Sequence, residues 1–113
     1  MGVISFSKQR ERYWQAAGWA FRQLLDDTSH LYPDDAELRE LFEEAKLYDS
    51  LVVYTLSQEV AEKVVGSVRQ VAEGILAGSI QSGIASQSYG NPETQAQYKS
   101  GLRELLLALP DRE

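Results

Sequence analysis

Cysteine is absent from the 113 residues. That removes disulfides, thiolate metal ligation and cysteine nucleophiles from the available chemistry, and it suits a reducing compartment. Histidine occurs once, at His30, so the Glu-x-x-His pairs that build metal centres in helical bundles have no counterpart here. His30 also lacks a visible orienting carboxylate and nucleophile, and it reads as a structural or exposed residue. Phosphate loops, dinucleotide fingerprints and Gly-x-Ser-x-Gly elbows are missing as well. The expectation is therefore a chain with no catalytic residue, metal or cofactor.

Long apolar runs are also lacking. The longest uncharged stretch, Gly74 to Pro92, is filled with glycine, serine and glutamine, so no membrane span is predicted. The opening Met-Gly-Val-Ile-Ser-Phe-Ser carries no basic segment followed by an apolar one, and Phe6 breaks the myristoylation pattern. A cytoplasmic protein is expected. Net positive charge is lacking too. A formal charge of −6 argues against nucleic acid as a partner, because basic residues supply most of that affinity.

The charge that is present is unevenly placed. Residues 26–49 hold nine acids against Arg39 and Lys46, whereas residues 1–25 hold four bases against one acid. Any electrostatic face should centre on the acidic segment.

Hydrophobic spacing predicts an all-α, four-helix, bundle-like single domain over 1–113 with a long third helix. The helices are expected at about 8–27, 34–48, 50–78 and 92–109. Tyr13, Trp14, Ala17, Phe21 and Leu24 recur at three- and four-residue steps behind a possible N-cap at Ser7. Asp34 with Glu37 resembles a capping box for the second helix, which aligns Leu38, Leu41, Phe42, Ala45 and Tyr48. A valine-rich stripe runs through Val64, Val68, Val71 and Ile75. Asn91 and Pro92 open the last helix, and Pro110 stops it. Leu51–Leu56 is the one segment where a strand could hide, but a lone strand needs a partner elsewhere in the chain. Residues 79–90 either extend the third helix through Ile80 and Ile84 or form a loop.

Trp19 falls with Gly18, Arg22 and Gln23, off the apolar stripe. That is the composition of an interface anchor, unless the helix is covered on both sides. Tyr48 and Tyr54 read as core-rim tyrosines. Asp26 and Asp27 sit unfavourably for the first helix's dipole and read as loop residues or as a cost kept for a partner. Gly66, Gly74 and Gly78 invite close approach of a second backbone, either another helix of the chain or a second copy across an oligomer seam.

The resulting expectation is a noncatalytic interaction module: an acidic inhibitor, immunity, chaperone or adaptor protein. It would meet a basic partner, or a second copy of itself, through Trp19, Arg22, Glu40, Glu43 and Glu44. The alternatives are a ligand-binding bundle or enzyme with an interhelical pocket lined by Trp14, Phe21, Phe42 and Tyr98, and a structural homo-oligomer with the glycine seam at its centre.

Overall fold

A segment as short as the one before Ser7 is marginal as a helix, and Val3, Ile4 and Phe6 favour extended backbone. In the computed structural model, which describes residues 1–7 and 12–109, this segment forms strand β1 (Gly2–Ser5). The second strand, β2 (Tyr13–Ala16), lies antiparallel to it, with Ile4 opposite Trp14. A third, β3 (Ser50–Val52), lies parallel on the other side, with Ile4 opposite Leu51. The order is β2-β1-β3, so β2 and β3 are the sheet's edges. Ile4, Trp14 and Leu51 all point into the core, as alternation along each strand requires.

The fold is therefore mixed rather than all-α: among the described residues, a small three-stranded sheet packs with four helices. The expected bundle fails in the first helix. Tyr13, Trp14 and Gln15 alternate exposed, buried, exposed, and helical spacing from Trp14 to Ala17 and Phe21 is equally compatible with a strand followed by a helix. Helix α1 runs Gly18–Leu31, and no side chain caps its start at Ala17. Ser7 lies just after β1, far from that start, and residues 8–11 of the expected helix lie outside the described residues. The strand suspected within Leu51–Leu56 exists over its first two residues, and its partner is the N-terminal segment. A turn of 3-10 helix, Val53–Thr55, follows it.

Helix α2 spans Ala36–Tyr48. Its N-cap is Asp35 rather than Asp34, and the carboxylate accepts the Leu38 N–H at 3.0 Å. Asp35 and Glu37 both hold the Lys63 ammonium, at 2.9 and 3.0 Å, which ties the start of α2 to α3. Helix α3 (Gln58–Ala77) is capped by Ser57 and ends at Gly78, whose φ of 81° is the left-handed C-cap geometry that glycine adopts without a Cβ penalty. Residues 79–90 are not an extension of α3. They turn back over α1, with a 3-10 turn at Gly83–Ser86. Asn91 caps α4 (Pro92–Ala108), with proline in the first turn. Pro110 lies outside the described residues. The core runs from the sheet (Ile4, Trp14, Leu51) through α1 (Phe21, Leu24, Leu25) to α3 and α4 (Val64, Val68, Val71, Leu102, Leu105). Among the described residues no helix is long and apolar enough to cross a membrane.

Candidate functional site

Helix α2 turns one stripe inward and another outward. Leu38, Phe42 and Ala45 are buried. At 100° per residue, Glu40, Glu43, Glu44 and Leu47 cluster on the opposite side. Leu47 is 81% exposed and follows Glu40, Glu43 and Glu44 at seven, four and three residues, so the three carboxylates frame an apolar centre. Glu43 pairs with Lys46 at 3.0 Å, and Lys46 also pairs with Asp26 of α1. Burial opposes the charge on this ammonium, but the hydrogen bonds to Asp26 and Glu43 outweigh it and hold Lys46 above the ordinary lysine range. Glu40 and Glu44 make no ion pair among the described residues. The segment's other base, Arg39, lies at the far end of the helix and donates to the Pro33 carbonyl.

The aromatic surroundings were misjudged from sequence. Tyr48 is 72% exposed, not part of the inward stripe. It occupies the last turn, and Asp49 ends the helix in the left-handed region at φ 50°. Tyr54 is exposed as well. Tyr48 borders a groove of about 340 Å³ between α2 and the β3 segment.

Of the other proposed partner residues, the structure brings Arg22 to this end of the molecule, where it pairs with Asp49 at 3.3 Å. Trp19 lies on the α4 side of α1. Its ring is half-buried and packs against Tyr89 and Tyr98, with centroids 5.5 and 6.4 Å away. Glu40, Glu43 and Glu44 thus share one face of α2 and Arg22 meets the residue that ends that helix, while Trp19 belongs to a separate aromatic cluster.

The glycines have local explanations of different kinds. A Cβ on Gly74 would fall 2.3 Å from the Ile80 side chain, so this glycine lets residues 79–80 fold back on α3. Gly78 is needed for its positive φ, and Gly66 faces open space.

A second cluster was not legible in the sequence. Asp27 is buried, and its carboxylate accepts four hydrogen bonds: from Gln23 Nε2 and the Gly83 N–H at 2.9 Å each, from Ser82 Oγ at 2.6 Å and from Tyr98 OH at 2.9 Å. Four donors fill the acceptor capacity of a carboxylate. Tyr89 OH donates to Gln23 Oε1 at 2.8 Å, joining a residue near the end of the same loop to the network. Burial first, then the neighbouring Asp27 charge and hydrogen bond, push the Tyr98 phenol well above its ordinary value, so it stays protonated and donating. Asp27 is neither a loop residue nor a spare charge; it fastens residues 82–98 to α1. The i,i+4 spacing of Gln23 and Asp27 was the only local signal.

Beside this network lies an open cleft of about 830 Å³, bordered by Asp26, Ser29, His30, Arg39, Gln81 and Gln87. The Ser29 hydroxyl is buried and has no hydrogen-bond partner among the described residues. His30 is exposed and forms no hydrogen bond to a carboxylate or hydroxyl among the described residues. No group of three metal-ligating side chains occurs among the described residues. The aromatics expected to line a ligand pocket, Trp14, Phe21, Phe42 and Tyr98, are instead packed into the core at 2% exposure or less.

No protein-family model matches this chain, and no curated protein or solved structure is significantly similar to it.

Proposed function

We propose that the chain is a noncatalytic, cytoplasmic interaction protein that covers a basic surface of a partner with the outward face of α2, in the manner of an acidic inhibitor, immunity, chaperone or adaptor protein. The observation that carries this reading is the framing of Leu47 by Glu40, Glu43 and Glu44. An isolated exposed leucine is ordinary. Leu107 on α4 is equally bare, at 86%, but the residues one turn before it are one base and one acid, Arg103 and Glu104. Leu47 stands among three acids, two of which make no ion pair among the described residues. Acidic residues around an apolar centre suit a partner that presents lysine or arginine around an apolar contact: the charges steer encounter and set orientation, and the desolvated centre slows dissociation.

The test places a photo-crosslinking amino acid at position 47 and, as a control, at position 107 in separate copies of the full chain, with irradiation in the source cell. The proposal expects a discrete basic protein attached through position 47, absent from position 107, and lost when Glu40 and Glu44 are changed to lysine. Equal labelling from both positions, or a 47-specific product indifferent to the two reversals, contradicts it. Glu43→Lys is a poorer choice because it also disturbs Lys46.

A further inference from the structure

The groove beside Tyr48 has a chemistry of its own. Its floor is apolar: Ala45 and Leu51 are buried, and Leu41 and Leu56 half-buried. Glu44 and Tyr48, one helical turn apart, stand on its rim, both exposed. Among the described residues no lysine or arginine lines it, and Glu44 makes no ion pair. At about 340 Å³ the space is at the small end of ligand pockets, on the scale of one long side chain rather than a cofactor.

We infer that this groove is a socket for a single arginine side chain of the basic partner. The inference rests on the reading of the α2 face given above and names the group that face selects. The arginine's methylene stem lies on Leu41, Ala45, Leu51 and Leu56, as amphipathic side chains do on apolar surface. Its guanidinium emerges at the mouth, donating to the Glu44 carboxylate while its plane lies against the Tyr48 ring. A leucine or methionine would fill the floor but leave Glu44 partly desolvated and unpaired. A lysine would supply charge without the planar, weakly hydrated group that stacks on an aromatic ring. Arginine is the one side chain that satisfies floor, carboxylate and ring together.

The probes are the blocked single amino acids N-acetyl-arginine, -lysine, -citrulline and -norleucine N-methylamides, titrated into the full chain and followed by amide chemical shifts. The expected result is saturable movement of amides within 41–56 by about 10 mM arginine probe, with weaker response to lysine and least to citrulline and norleucine. Glu44→Gln and Tyr48→Leu each reduce the arginine affinity about three- to tenfold. Both positions are exposed, and an otherwise unchanged amide spectrum verifies that each variant is folded. Norleucine or citrulline moving the same amides as strongly as arginine overturns the inference, as does an arginine response outside this segment or none at all. A parallel titration with an oligolysine peptide separates the two claims. Binding lost in Glu40→Lys without any arginine preference at the groove removes the socket and leaves the acidic face standing. An arginine-selective groove with oligolysine binding indifferent to Glu40→Lys does the reverse.

Discussion

Replacing Asp27 with alanine removes the one acceptor shared by four donors that come from α1, the loop after α3, and α4. The donors are not equally exposed to the loss. Ser82 and Gly83 are only partly buried or exposed and can turn to water, whereas the Tyr98 hydroxyl belongs to a residue that is 1% exposed and is left unpaired. An unsatisfied buried donor costs about 1–3 kcal/mol, and hydrogen bonds to a charged acceptor contribute about 1.5–3 kcal/mol each. Since these overlap and part of the network rehydrates, the expected destabilisation is about 3–5 kcal/mol, a large share of the ~5–15 kcal/mol that holds a domain folded. Asp27→Asn is milder, about 1–2 kcal/mol: its carbonyl still serves Gln23 and Gly83, while the two hydroxyls can rotate to accept from its NH₂. The assay is urea unfolding followed by tryptophan fluorescence. Trp19, packed on Tyr89 and Tyr98, reports the same region. An alanine variant within about 0.5 kcal/mol of the parent, the range of an ordinary surface change, would refute the assignment of Asp27 as the fastener of residues 82–98, and so would equal losses from alanine and asparagine.

Glycine substitutions separate the two explanations of the third helix. Gly78→Ala, at φ 81°, is expected to lose about 1 kcal/mol from strain in the left-handed region, whereas Gly66→Ala, in open space, gains up to about 1 kcal/mol by helix propensity; thermal melts measure both. A changed sedimentation mass for Gly66→Leu, which adds no clash inside the chain, would revive the homo-oligomer seam there. The pH dependence should report the cap of α2. The Leu38 N–H, then the Lys63 ammonium, hold Asp35 below the ordinary carboxylate value of 3.8, so its contribution is present above that value and is lost as pH falls through the lower folded-state value. Asp35→Asn keeps a capping acceptor but removes this titration, so the gap between variant and parent in urea midpoint should narrow between about pH 5 and pH 2.5. A constant gap would exclude Asp35 as a source of acid sensitivity.

Sequence reasoning succeeded where signals were local. The side chain of Asn91 caps α4 where the sequence places the start of that helix, and the valine stripe of α3 is recognisable at helical spacing, although α3 opens at Ser57 and not at residue 50. It failed where structure depends on distant partners. Strand β3 gains its place only by pairing with residues 3–5, and a four-residue N-terminal segment is too short to announce itself by alternation. Tyr13 and Trp14 satisfy strand and helix patterns at once, and α1 starts without a side-chain cap, so nothing marked the boundary. At the candidate site, the acids of α2 were legible as charge. That Leu47 lies at their centre and Tyr48 beside a groove depends on which way α2 is rotated, and the core fixes that through Leu38, Phe42 and Ala45. Asp27 reads from sequence as a loop residue or a cost kept for a partner because three of its four donors lie 55, 56 and 71 residues away in the chain.

Whether the outward face of α2 meets a basic partner is decided by stopped-flow association of the full chain with the protein crosslinked through position 47, at a series of salt concentrations, for the parent and for Glu40→Lys/Glu44→Lys. The association rate is expected to fall steeply between about 0.01 and 0.15 M salt, as the screening length shrinks from roughly 30 to 8 Å. For the double reversal, association should be at least tenfold slower at low salt, with the salt dependence flattened or inverted. Equal rates for both proteins with the same shallow salt dependence would contradict it.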